Sequence, residues 1–438
     1  MKHVSRRIET RWLIACLAAV GLPAAAGSAR ADVLLPAAPP PSWSLSLRSA
    51  TYLFQTEDAS GGEADEFRFY QSFAGGAWGL AGGRLSLRAS GRFANAPDQA
   101  WPGFETSRLH TGYLEARLGR GLRARVGRQF LHSGVAGLTL DGAELTYGRR
   151  ALTVSAWGGA RAPWGQAFAL GSLERDAAAG FRLGVAPGGA HRFAVSGAYR
   201  ERDGAVAERP LGCEYVTTAL RHVDALARVV RDLAGDRWAR LELQGRWQAA
   251  AARPVVALQY VDRYPSVDAA SWFARLPDIE RIRLLRASAR WERPSRCGGE
   301  LEYVGSFVDT RASSRLGLAL LLPGARIGYS VRLGDVGEES CFYGEAAWQA
   351  RPWLRLAGEA SYLTYALLAD APASEERDLT TLAARACARL RPGVSVTAEV
   401  QSLDTPLYSQ DVRFLLGVDL AMARGTSRYG LDRGGWLP

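Results

Sequence analysis

The chain has 438 residues, 47% hydrophobic and 22% charged, with 54 basic and 44 acidic side chains giving a formal charge of +10. The arginines are scattered singly or in pairs with no basic run, which argues against a nucleic-acid surface. After residue 22 no apolar stretch approaches the ~18 residues of a transmembrane helix, the densest being Leu316 to Leu322, so any membrane crossing must use strands.

The N-terminus reads as an export signal. Lys2, Arg6, Arg7 and Arg11 precede an apolar run from Trp12 to Leu22, and Ala29-Arg30-Ala31 makes a small-x-small cleavage site, placing the mature start near Asp32. Leu13-Ile14-Ala15-Cys16 would also suit lipidation of Cys16, but only about four apolar residues precede that cysteine. Five basic residues and one acidic in positions 1–31 supply +4 of the +10, leaving +6 on the rest, where every basic residue is arginine and stays charged at any accessible pH. Residues 32–42 form a proline-rich lead-in.

Alternation with a period of two then fills the chain. Trp43 to Phe54 and Phe67 to Trp78 flank an acidic loop, and Gly82-Gly83 turns into a strand where Leu85, Leu87, Ala89, Gly91 and Phe93 alternate with Ser86, Arg88, Ser90 and Arg92. His110 to Leu118 turns at Gly119-Arg120-Gly121 into Leu122, Ala124 and Val126 against Arg123 and Arg125. A loop is expected over Leu131 to Leu138, then Ala143, Leu145 and Tyr147, the turn Arg149-Arg150, and Leu152 to Ala156. Gly180 to Val185 and Phe193 to Tyr199 flank Pro187-Gly188-Gly189. Positions 215–233 read either as a hairpin or as one or two helical turns from Val223. Further strands carry Arg240, Glu242 and Arg246, then Val255 to Arg263, then Arg286 and Arg290, and a long loop from Tyr264 to Arg281 holds Trp272, Phe273 and Asp278. Leu301 to Phe307, Arg315 to Leu322, Arg326 to Leu333, Cys341 to Trp348 and Trp353 to Tyr365 continue the pattern. The plainest unit is the hairpin around Arg391-Pro392-Gly393, where Leu382, Ala384, Ala386 and Val400 oppose Arg385, Arg389 and Glu399. One more strand precedes a tail over 423–438.

Tight turns mostly alternate with longer polar loops, and mid-strand faces carry Arg and Glu that a sandwich core would not tolerate but a water-filled lumen would. The expected fold is all-β: a single transmembrane antiparallel up-and-down barrel over 43–422, with about 22 strands (range about 18–24), short periplasmic turns and longer outer loops. Trp43, Trp78, Trp247, Trp291, Trp348, Trp353 and Tyr365 would supply interfacial girdles.

The segment Leu122 to Tyr147, with Gly127-Arg128-Gln129 after one strand and Asp141-Gly142 before the next, resembles a pattern of bacterial outer-membrane porin-type barrels. The chain departs from such barrels at its end, Gly434-Gly435-Trp436-Leu437-Pro438, where they often finish on an aromatic residue. The resemblance implies an outer-membrane protein that passes small solutes by passive diffusion and meets lipid but no nucleic acid.

Parity places Arg88, Arg92, Arg123, Arg125, Arg240, Glu242, Arg246, Arg286, Arg290, Arg385, Arg389 and Glu399 on the wet face. Rings of such arginines would favour anions; the competing arrangement pairs them with acids such as Glu292, Glu300, Glu302 and Glu359 across strands. The loop holding Trp272, Phe273 and Asp278 is a candidate constriction. An alternative function is the sheath of a porin–cytochrome conduit, with a multihaem cytochrome in the lumen, since so wide a barrel usually has its lumen filled. A lesser alternative is an outer-membrane hydrolase, for which His132-Ser133 is the only adjacent His–Ser pair, although neighbours on an extended chain face opposite ways. The cysteines, at 16, 213, 297, 341 and 387, form neither Cys-x-x-Cys nor a haem-attachment motif, so no metal or cofactor is expected, and the sequence leaves disulfides open.

Overall fold

A computed structural model describes residues 41–57, 63–95, 106–248, 254–265, 280–292, 297–335, 337–366, 377–404 and 411–425. The signal segment, most of the C-terminal tail, and the loop positions Trp272, Phe273 and Asp278 lie outside them.

The strands run in sequence around a ring. They are β1 (Ser42–Glu57), β2 (Glu63–Gly79), β3 (Leu85–Ala94), β4 (Ser107–Arg117), β5 (Leu122–Ser133), β6 (Ala136–Arg149), β7 (Leu152–Arg161), β8 (Asp176–Val185) and β9 (His191–Arg202). There follow β10 (Ala205–Glu208), β11 (Pro210–Leu220), β12 (Val223–Asp232), β13 (Arg237–Gln248) and β14 (Val255–Arg263). The series continues from β15 (Ile282–Trp291) through β21 (Arg377–Arg391) and β22 (Val394–Asp404) to β23 (Asp411–Arg424). Each except β10 pairs antiparallel with its successor, and β1 pairs with β23 from Trp43↔Arg424 to Leu53↔Phe414, which closes the barrel. Because β10 and β11 both pair with β9, they form one stave broken by a bulge, and the wall has 22 staves. With strands about 4.8 Å apart and tilted about 40°, such a ring is roughly 45 Å across between backbones.

Closure satisfies every interior strand's backbone groups and leaves no edge, and that is what lets strands cross a hydrocarbon layer. The outer face is apolar: Leu87, Leu114, Val126, Phe181, Leu183, Leu243, Leu258, Leu318, Leu382 and Leu416 are all exposed there. Trp43, Trp247, Trp291, Trp348 and Trp353, also exposed, collect at the end that carries the short turns. Trp78 does not join them. It pairs with Ser42 and lies under the Arg88 guanidinium at 5.7 Å, on the inner face. Tyr365 shares the inward parity of Glu359, six residues earlier on its strand. Both stand near strand ends, but alternation and not position decides which side of the wall a ring faces.

Positions 215–233 form a hairpin with β11 and β12 in register from Pro210↔Asp232 to Thr217↔Ala225, not helical turns. The expected loop over Leu131 to Leu138 is also replaced by strand: β5 and β6 stay paired from Leu122↔Tyr147 to Ser133↔Ala136 around the two-residue turn Gly134-Val135. Gly134, at φ 60°, supplies the positive φ that such a turn needs at its first position.

Candidate functional site

The β5–β6 hairpin leaves the wall and enters the lumen. Its departure follows a crease of glycines in register across neighbouring strands, with Tyr113↔Gly127 beside Gly112, then Gly127↔Gly142 and Gly142↔Gly159. Backbones meet here at distances no side chain would permit. A Cβ on Gly127 would lie 2.3 Å from the Gly112 carbonyl oxygen, one on Gly142 2.3 Å from that of Gly158, and one on Gly159 2.4 Å from that of Asp141. Gly127 also adopts φ 123°. Pairing of β5 with β4 therefore stops at Arg128, and that of β6 with β7 begins only at Leu140.

Beyond the crease the hairpin extends about 20 Å, six residues at about 3.3 Å each. It lies over the inner face of β7, β8 and β9, where Leu131, Ala136 and Leu140 bury against Trp157 and Ala178, flanked by Leu138 and Ala198. The tip reaches further along the ring. The Val135 amide donates to Ser196 Oγ at 3.1 Å, and Val135 Cγ1 fills the space that a Cβ on Gly212 would need, 2.5 Å away. Val230 of β12 is buried beside it.

One ion pair fixes the root of the hairpin. Arg128 and Asp141 face each other across β5 and β6, and their side chains are 1% and 5% exposed. Arg128 donates from Nε and Nη2 to the two Asp141 oxygens at 2.6 and 2.7 Å, from Nη2 to the Ala169 carbonyl at 2.6 Å, and from Nη1 to the carbonyls of Leu109, Gln166 and Ala167 at 3.1, 3.3 and 2.5 Å. Asp141 also accepts from the Gly171 amide at 2.7 Å. Both residues share the parity of the lipid-facing Val126 and Ala143, so on a straight hairpin they would meet hydrocarbon. Instead, residues 162–175 fold across them and take the place the hairpin left in the wall: Ala167 bridges to Arg108 of β4, and Phe168 stacks on the outward Phe93 at 5.7 Å.

The remaining inner face is charged and largely self-paired. All twelve arginines and glutamates singled out from the sequence have the inward parity. Six of the ten arginines meet carboxylates there: Arg123 and Arg125 meet Glu115 at 3.9 and 2.7 Å, Arg240 meets Glu242 at 2.8 Å, Arg290 meets Glu292 at 2.8 Å, Arg385 meets Glu399 at 2.5 Å, and Arg286 pairs closely with Glu302. Arg88 and Arg92 lie over Trp78 and Tyr70, Arg246 donates to Gln248 at 3.4 Å, and Arg389 faces Ser395 across β21 and β22. Unanticipated is a chain around the lumen: Glu214 bridges Arg182 and Arg228 at 2.9 and 2.5 Å, and Glu242 bridges Arg228 and Arg240 at 3.3 and 2.8 Å. Its central member, Arg228, lies in the 215–233 stretch, whose strands are ambiguous in the sequence. The hairpin itself has a readable signal, since Arg128 and Asp141 are charges at lipid-facing parity beside in-register glycines.

His132 is exposed while Ser133 is 5% exposed, so the pair faces opposite ways. Cys213, Cys297, Cys341 and Cys387 are free thiols.

No family model matches the chain, and no curated protein matches it. Among solved structures it is similar to the translocation pore of the P pilus usher PapC, at 10% identity over 86% of this chain and 99% of that one with a TM-score of 0.49. It is similar also to a BenF-like porin from Pseudomonas fluorescens Pf-5 (10% identity, 88% and 99% covered, TM-score 0.45) and to the outer membrane protein opdK from Pseudomonas aeruginosa (11%, 88% and 99%, 0.42).

Replacing Arg128 or Asp141 singly by Ala is expected to destabilise the barrel by about 3–5 kcal/mol, because each substitution strands the opposite charge in a dry site. The double variant should cost less than the two single losses added together. Urea unfolding in micelles, followed by tryptophan fluorescence, measures this; single variants as stable as the parent would reject the hinge role.

Proposed function

We propose that the chain is an outer-membrane diffusion channel, exported through residues 1–31, in which the β5–β6 hairpin narrows a water-filled lumen to the passage left between its free face and the opposite wall. The observation that carries this reading is the hairpin's placement. It docks on the inner face of one side of a ring roughly 45 Å wide and reaches about 20 Å, which among the described residues leaves open space facing the strands from Ile282–Trp291 to Asp411–Arg424 and β1 to β3. The apolar outer face and charged inner face support the same reading, since a channel needs lipid outside and water within. The loop with Trp272, Phe273 and Asp278, expected to narrow the pore, lies outside the described residues, and among those described the narrowing element is the β5–β6 hairpin.

A sheath around a multihaem cytochrome is the less favoured function, because its guest would need the space that the hairpin occupies. The solutes are small. The twelve inner-face residues from Arg88 to Glu399 line the passage, and an arginine excess over its carboxylates gives a preference for anions.

Two measurements in planar bilayers test this. Excising Phe130 to Thr139 and joining Gln129 to Leu140 through two glycines is expected to raise single-channel conductance several-fold; an unchanged conductance would show that the hairpin does not limit flow. Substituting Arg92, Arg246 and Arg389 together by Gln leaves no described carboxylate orphaned and is expected to move the reversal potential under a salt gradient toward cation preference. No movement would remove these side chains from the selectivity of the pore.

A further inference from the structure

Where the hairpin tip meets the wall, the lumen holds a cavity of about 610 Å³ between Gly134–Leu138 and the outer ends of β9 to β14. Its far corner has an unusual register. Arg240 of β13 and Arg263 of β14 are direct cross-strand partners. Like charges placed so are destabilising. Arg263 has no carboxylate within ion-pair distance among the described residues, and Arg240 Nε is buried without a hydrogen-bond partner there.

The charge can be summed along the chain that ends in this corner. Arg182, Glu214, Arg228, Glu242 and Arg240 comprise three arginines and two glutamates linked in order, one positive charge in excess. Arg263 adds a second. Neighbouring Arg237 is turned onto the Tyr264 ring, with its guanidinium carbon 5.2 Å from the ring centroid, and faces Asp232 across the strands. Arg240, at the end of a chain with one positive charge in excess, and Arg263 stand side by side on the lining of this cavity, which Glu208 and Asp232 also line, and two adjacent guanidinium groups with a net double positive charge match a group bearing two negative charges on several oxygens.

We propose that this corner binds a divalent oxyanion of the phosphate type, free or as the phosphate group of a small ester, held between Arg240 and Arg263 beside the hairpin tip. The bound anion bridges the two like charges and supplies acceptors to donors that the protein leaves open. The proposal deepens the channel reading by giving its anion preference a fixed site. Binding itself does not require that the lumen conduct.

Isothermal titration of inorganic phosphate into the intact, detergent-solubilised barrel, at constant ionic strength in chloride, tests the site. A saturable one-site isotherm is expected for the parent. Arg263→Gln, which breaks no ion pair among the described residues, is expected to weaken it roughly tenfold. Arg263→Lys should keep binding within a few-fold, and Arg221→Gln in a remote turn should leave it unchanged. If the parent shows no saturable binding, or if Arg263→Gln binds as tightly as the parent, the site is overturned. A heat-dependent gel mobility shift confirms that each variant is folded. Chloride conductance, measured separately, judges the channel: phosphate binding by a barrel that does not conduct would sink the channel reading and keep the site.

Discussion

The buried pair of Arg128 and Asp141 is the constraint on which the arrangement of the lumen depends. Taking two charges out of water costs several kcal/mol each, and mutual attraction offsets this only when the remaining donors and acceptors are also satisfied. Here they are, because Nε, Nη1 and Nη2 of the guanidinium all find acceptors and the carboxylate takes a further amide. Those acceptors come from β4 and from the loop that follows β7. The pair is therefore stable only if the hairpin bends inward and that loop moves into the wall, so one interaction couples a narrower lumen to a continuous barrel.

Glycine makes this geometry available, and the ion pair selects it. The crease through Gly112, Gly127, Gly142 and Gly159 lets four backbones approach closely enough to fold along a line, but glycine adds no preference for inward over outward. An outward bend would leave Arg128 and Asp141 in hydrocarbon, where a charge at mid-membrane depth costs about 2–4 kcal/mol in a barrel. Folding inward beneath residues 162–175 exchanges that loss for a closed set of hydrogen bonds.

The class of fold was legible because alternation is a strictly local signal. Leu85 to Phe93 and Leu382 to Val400 each declare one apolar and one wet face without reference to the rest of the chain. The inner-face arginines were legible for the same reason, and acids of the same parity such as Glu242, Glu292, Glu302 and Glu399 could be named as partners, whereas Glu115, which meets Arg123 and Arg125 from the neighbouring strand, was not. The root of the hairpin left a signal, two charges at lipid-facing parity, but its length did not, since Gly134 and Gly137 in a segment of mixed pattern look like a loop and the tip is fixed by a wall contact 61 residues away, from Val135 to Ser196. Trp78 and Tyr365 failed for a simpler reason: closeness to a strand end suggested a girdle, while parity turned them into the lumen.

The two ends of the hairpin are held by different physics. Its root has a saturated guanidinium and carboxylate, whereas its docked face buries Gln129 at 1% exposure with neither amide atom bonded to a partner among the described residues, and Ser133 Oγ and Trp157 Nε1 in the same condition. A buried polar group left so costs about 1–3 kcal/mol, comparable with what a buried Leu131 or Leu140 contributes. The apolar contact with Trp157 and Ala178 is thus largely offset within its own interface. Position is set at the crease, and the tip rests on the shape match between Val135 and the missing side chain of Gly212. The width of the passage accordingly depends most on residues at the wall, not on those that touch across the lumen.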